Sequence, residues 1–168
     1  YTVKIGTECE FYLFELDENG KPTRKTHDNA GYCDIAPFDK GETVRREICL
    51  TLEEMDMMPE MSHHEQGKGQ HEVDFRYSEA LTAADNLVNF KAVVKNIASR
   101  NGLYASFMPK PILNDSGSGL HINMSLFKDG VNVFELSKSN LQNESGSFVA
   151  GIIEHIKEMS AFTNPLTN

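Results

Sequence analysis

Apolar and polar positions alternate with a period of two from residue 3 to residue 16, which predicts a strand. Glu8, Glu10, Tyr12 and Phe14 share one face; Cys9, Phe11 and Leu13 take the other. Apolar side chains on both faces predict burial, and acids on a buried strand need partners. Asp17-Glu18-Asn19-Gly20-Lys21-Pro22 reads as a turn, and residues 22–35 as irregular or edge-like. Pro37 precedes a helix with Asp39 as the expected N-cap and Glu42 at capping-box spacing, its apolar stripe running through Val44, Ile48, Leu52 and Met55. Pro59 breaks that pattern. Residues 60–66 and 70–77 then predict a hairpin around Gln66-Gly67-Lys68-Gly69, with Glu72, Asp74 and Arg76 on one side of the second arm and Val73, Phe75 and Tyr77 on the other.

The strongest helical period covers 79–100, through Leu81, Ala84, Leu87, Val88, Val94, Ile97 and Ala98, and Gly102 ends it. A strand is predicted at 103–108 and another at 120–127, with His121, Asn123 and Ser125 on its polar face and Ile122, Met124 and Leu126 on its apolar face. Asp129-Gly130 reads as a turn, 137–145 as a polar loop and about 146–160 as a final helix. Strands joined by hairpins, with helices interspersed, predict an α+β fold on a mostly antiparallel sheet flanked by helices.

The length of 168 residues makes one domain the default. A net charge of −9 argues against nucleic acid or an anionic membrane as partner. Cys9, Cys33 and Cys49 have no zinc-type spacing and read as free thiols of a reducing, cytoplasmic compartment. No apolar run approaches the ~18 residues a membrane span needs. The opening at Tyr1 and the ending at Asn164-Pro165-Leu166-Thr167-Asn168 lead us to expect a piece of a longer protein.

The candidate chemistry is a set of acids. Glu8 and Glu10 point the same way about 7 Å apart, so they repel unless a cation compensates. Glu65 and Glu72 approach one another across the glycine-containing turn. Spacing alone also fits solvated faces for both pairs; the apolar neighbours of Glu8 and Glu10 on both sides weigh against that for the first. His121 follows the tight turn Gly117-Ser118-Gly119. Carboxylates with one imidazole suit hard divalent cations, Mg²⁺ or Mn²⁺. His63, His64 and His71 are assigned mainly to packing and to hydrogen bonding of the acids.

Together these segments resemble the catalytic domain of type I glutamine synthetases. Gly6-Thr7-Glu8-Cys9-Glu10-Phe11-Tyr12-Leu13-Phe14 resembles the family's first metal strand. Ser62-His63-His64-Glu65 with Gly69-Gln70-His71-Glu72-Val73-Asp74 resembles its central signature. Phe107-Met108-Pro109-Lys110-Pro111 with Gly117-Ser118-Gly119-Leu120-His121 resembles its ATP-region signature. The resemblance covers nearly the whole chain.

It implies a partial glutamine synthetase/guanido kinase-like catalytic domain and an ATP-dependent ligation of glutamate and ammonia through γ-glutamyl phosphate. By motif, Glu10, Glu65 and Glu72 would hold one divalent ion, and Glu8 and His121 would help hold a second. Glu60, Tyr77, Asn123 and Ser125 would contact ATP, and Ser116 and Gly117 the substrate glutamate. Ser116 stands where many members carry Asn, and Asn123 where some carry His. The family's small N-terminal domain, its phosphate-gripping arginines and the last acid of the second metal site are not in the sequence. The expectation is therefore a parent enzyme forming a ring-shaped homo-oligomer, and a piece compatible with a monomer and inactive alone. A γ-glutamyl–amine (polyamine) ligase of the same superfamily and a non-catalytic structural relative are the alternatives.

Overall fold

A computed structural model describes residues 1–134 and 144–164. Most of the expected 137–145 loop, and Pro165–Asn168 of the closing stretch, lie outside the described residues. The order is β1 (Thr2–Leu16), β2 (Pro22–Thr26), α1 (Glu42–Glu54), β3 (Pro59–His64), β4 (Gln70–Phe75), β5 (Ser78–Glu79), α2 (Ala80–Arg100), β6 (Leu103–Ser106), β7 (Leu120–Lys128), β8 (Val131–Asn132) and α3 (Glu144–Thr163).

The long first strand organises the rest. β1 pairs antiparallel with β2, β4, β5, β6 and β7, and the main path of the curled sheet runs β3-β4-β1-β7-β8. Its doubly apolar pattern is explained by burial on both faces. Phe11 and Leu13 are inaccessible on the helix side, and Tyr12 and Phe14 are buried on the other. α1 and α2 cover the first face with Ile48, Leu52, Phe90, Val94 and Ile97 against Cys9, Phe11, Val73 and Phe75. That apolar layer fixes the register of β1, because a one-residue slip would send its acids into the core.

Some local expectations are corrected. α1 starts at Glu42 behind Gly41, with no side-chain cap. The Asp39 carboxylate instead accepts from the Gly41 amide at 2.8 Å and pairs with Arg45 at 2.7 Å, a charge-assisted bond that outcompetes a neutral cap. Tyr77 leaves the alternation of its arm, because β4 ends at Phe75 and the Arg76 amide turns to the Met58 carbonyl. Two short strands were not anticipated. β5 sits where the helix was expected to begin, and β8 is turned back onto β7 by Asp129 and Gly130, both at positive φ.

Candidate functional site

The ladder of β1 against its neighbours places the candidate residues on one face. Glu8 is opposite His121 of β7 and Asp74 of β4; Glu10 is opposite Glu72; Gly6 is opposite Asn123 and Lys4 opposite Ser125. His63 of β3 is opposite Glu72, and Glu65 begins the turn that follows. Segments separated by more than a hundred residues thus converge through strand register alone.

Side chains then form two tight groups. Glu8, Glu72 and His121 each offer an atom within 4.8 Å of the others, and so do His63, Glu65 and Glu72. His121 Nδ1 donates to Glu8 Oε2 at 3.0 Å, and Asn123 donates to Glu8 Oε1 at 2.7 Å. His63 Nε2 lies 3.0 Å from Glu65 Oε1 and 3.3 Å from Glu72 Oε2, bridging the two acids. Glu10 belongs to neither group: its Oε2 accepts from Gln70 at 2.6 Å and from the Gly119 amide at 3.0 Å. A Cβ at Gly119 would stand 3.0 Å from both Glu10 Oε1 and His121 Nε2, so glycine there leaves room for both side chains to approach the backbone.

The acids strain one another. Burial pushes Glu72 up to about 7, helped by the charges of Asp74, Glu10, Glu65 and Glu8. Burial, then the Glu8 charge, pushes Asp74 up to about 6. Glu8 is held below the usual carboxylate range by the hydrogen bonds from His121 and Asn123, and His121 is raised in turn. Glu72 Oε1 and Asp74 Oδ1 are buried with no hydrogen-bond donor among the described residues. Carboxylates of raised affinity for positive charge, with unused buried oxygens and an imidazole at hand, fit a hard divalent cation.

A cleft of about 200 Å³ opens beside Glu8 and is lined by Glu60, Tyr77, Asn123 and Ser125, together with Lys4 and Asp74. All four residues expected to contact nucleotide therefore border one space. Ser116 and Gly117 do not line it; their carbonyls accept from the Tyr12 hydroxyl at 2.6 Å and from Gln70 Nε2 at 3.0 Å, and Gln70 in turn reaches Glu10.

Several contributors have little signal in the sequence. His63 hydrogen-bonds the acids as expected, and it reaches two of them, Glu65 and Glu72. Asp74 carries only a strand-face signal in the sequence, and Gln70, which ties Glu10 to the Gly117 carbonyl, carries none of its own. The alternation of β4 put Asp74 beside Glu72 and could have marked it. The Tyr32 ring, edge-on to His63 at 5.6 Å, comes from a loop with no periodic signal.

The family model for the glutamine synthetase catalytic domain matches residues 1–168. A glutamine synthetase of Clostridium saccharobutylicum is 57% identical across 100% of this chain and 38% of its own length. One from Methanosarcina mazei is 48% identical over the same shares. Among solved structures, Plasmodium falciparum glutamine synthetase superposes with a TM-score of 0.87 at 32% identity, covering 99% of this chain and 39% of that one. A structure named GmaS, without ligand, gives 0.85 at 33% identity, over 98% of this chain and 39% of its own. The chain spans about 38% of the length of these curated relatives.

Proposed function

We propose, on the premise that this chain belongs to the glutamine synthetase family by its catalytic domain, that the protein carrying it ligates ammonia to glutamate at the expense of ATP. The observation that carries this reading is the pair of groups that share Glu72, namely Glu8 with His121 and His63 with Glu65, with Glu10 opposite Glu72 on the ladder, next to a cleft that Glu8 lines together with Glu60, Tyr77, Asn123 and Ser125.

In this reading Glu10, Glu65 and Glu72 hold one divalent ion, Mg²⁺ or Mn²⁺, and Glu8 and His121 contribute to a second. Bound there, the ions would supply positive charge at phosphate oxygens, which phosphoryl transfer requires. Glu60, Tyr77, Asn123 and Ser125 bind the nucleotide. Asn123 also holds Glu8 in place through its 2.7 Å hydrogen bond. Ser116 and Gly117 border the glutamate end, their backbone fixed by Tyr12 and Gln70. His63 keeps Glu65 and Glu72 together. No helix is long and apolar enough to cross a membrane among the described residues; a cytoplasmic, ring-shaped homo-oligomer is the assembly we propose.

The test is an assay of the full-length protein with ATP, glutamate and either ammonium or an organic amine, following amide product and phosphate. ATP- and divalent-ion-dependent glutamine formation is expected. A strong preference for an organic amine, or no product with either, would overturn the proposal.

A further inference from the structure

Behind the acids lies a buried polar network that the proposed reaction does not use. Asp28, Asp39, Arg45, His64 and His71 are each at most 6% exposed. Asp28 comes from the loop between β2 and α1. Its Oδ1 accepts from His64 Nε2 at 2.9 Å and from the amides of Gly69 at 3.0 Å and Ala30 at 3.3 Å; its Oδ2 accepts from the Lys40 amide at 3.1 Å. Four donors on one carboxylate hold it ionised.

Protons can be assigned from these partners. His64 Nδ1 lies 2.6 Å from the Glu65 carbonyl, and Nε2 faces the Asp28 carboxylate. Both partners only accept, so both ring nitrogens carry hydrogen and the ring is an imidazolium. His71 Nδ1 lies 2.9 Å from Arg45 Nη1, which only donates, so this nitrogen accepts and the ring is neutral. Arg45 is in turn fixed by Asp39 at 2.7 Å and by the Ser62 hydroxyl at 3.0 Å. The two rings meet edge to face at 4.7 Å. The cations inside the cluster are thus His64 and Arg45, each balanced by one aspartate, which leaves no excess negative charge for a metal.

The network touches the chain at particular points. His64 and His71 immediately precede the candidate metal acids Glu65 and Glu72. Asp28 holds both ends of the turn that carries Glu65: the His64 ring, and through it the Glu65 carbonyl, on one side, and the Gly69 amide on the other. The residue after Gly69 is Gln70, which reaches Glu10.

We infer that Asp28 is a positioning residue for the candidate metal ligand Glu65, acting through His64 and the Gly69 amide. The inference rests on the metal-site reading proposed above. Glu65 lies just past the end of β3, where the last hairpin bond runs from its amide to the Gln70 carbonyl at 2.8 Å; the Asp28 clamp adds the hold on its carbonyl and on the far end of the turn. Groups that orient a metal ligand from behind typically change metal affinity by about 10- to 100-fold when removed.

The test uses the full-length, metal-free protein titrated with Mn²⁺, free ion being followed by electron paramagnetic resonance. Asp28→Asn replaces one acceptor oxygen of the clamp that meets His64 and the Gly69 amide with an amide nitrogen; His64→Gln removes the ring that links Asp28 to the Glu65 carbonyl and serves as the second variant. Each is compared with wild type by circular dichroism and thermal melting without metal. In a variant that keeps the metal-free fold, Mn²⁺ affinity is expected to fall about 10-fold or more, which a merely structural role would not produce. Affinity within twofold of wild type in a folded variant would overturn the inference. Failure of both variants to fold would overturn it in favour of a purely structural carboxylate. No Mn²⁺ uptake by the wild type would remove the metal-site reading itself, and this inference with it.

Discussion

Glu8 and His121 lie 113 residues apart, yet they face each other in register on β1 and β7 with the imidazole Nδ1 3.0 Å from the carboxylate. Each shifts the other: Glu8 is lowered by the His121 hydrogen bond, and His121 is raised by Glu8. The sign follows from both. The raised imidazole contributes fully below its ordinary value of 6.5, and its contribution fades as pH rises through the raised value. The lowered carboxylate contributes above its ordinary 4.5 and loses that as pH falls through the lowered value. The pair is therefore strongest between the two. In metal-free Glu8→Gln, the His121 titration followed by NMR should move down towards the ordinary histidine range. An unmoved midpoint would mean the contact does not persist in solution.

Glu72 behaves in the opposite sense. Its carboxyl is pushed up from 4.5 to about 7, so the folded metal-free protein holds that proton more tightly than the unfolded chain. The resulting cost to stability appears as pH rises above 4.5 and is complete above about 7. Glu72→Gln should thus stabilise the metal-free protein at pH 8 by about 1–3 kcal/mol, have little effect near pH 4.5, and abolish most of the stabilisation added by Mn²⁺. Chemical denaturation at both pH values, with and without metal, checks this. Equal effects at the two pH values would show that the cost of ionising this buried carboxyl is not the cause.

Much of this arrangement was legible in the chain. Residues 3–16 gave both the strand and its double burial, because a period of two with apolar residues on each side has one structural solution. The glutamates of β1 and β4 and the histidine of β7 were readable as a candidate site from residue type and turn spacing. The clamp behind them was not. Asp28 and Asp39 lie in the aperiodic stretch before α1, and their partners Gly69, His64 and Arg45 are set by tertiary packing. Asp39 shows the limit of local rules: its position fits a helix cap, yet the guanidinium of Arg45, six residues on, takes the carboxylate. The apolar face of β7 is a second case. Ile122 and Met124 alternate as a buried strand would, and yet they are 47% and 37% exposed, since no described element covers them.

Glycine at position 67 is required by its neighbours. A Cβ there would stand 2.0 Å from the Tyr12 hydroxyl and 2.7 Å from Gln70 Oε1. Tyr12 is fully buried and cannot swing away without breaking its bond to the Ser116 carbonyl. Gly67→Ala should cost about 2–4 kcal/mol by overpacking and loss of a buried hydrogen bond, and should weaken glutamate binding at the Ser116–Gly117 segment. Gly151, inside α3 with open space around it, is the control; its alanine variant should be neutral or more stable by up to about 1 kcal/mol. Denaturation of both variants, with a glutamate saturation curve for Gly67→Ala, decides the point. Similar melting of the two would count against the collision.

The three thiols offer a readout of the buried face of β1. Cys33 is exposed on the loop beside Tyr32, Cys49 is partly covered on α1, and Cys9 is buried between Glu8 and Glu10 on the core side of the strand. Burial pushes the Cys9 thiol up to about 11, the nearby carboxylates adding to the shift and Lys91 opposing it. Thiolate is the reactive form, so Cys9 is protected twice, by access and by its proton. Alkylation of the native protein at pH 8 should modify Cys33 first, Cys49 more slowly and Cys9 last, at the rate at which the sheet opens. Mass spectrometry of timed samples reads the order. Because Cys9 is reached only when β1 separates from α2, its labelling rate measures opening of the sheet that aligns Glu8 and Glu10. A metal ion holding those acids to β4 and β7 should slow that opening, and so slow Cys9 labelling while leaving Cys33 unchanged. Early modification of Cys9 in the native protein would contradict the packing of β1 against the helices.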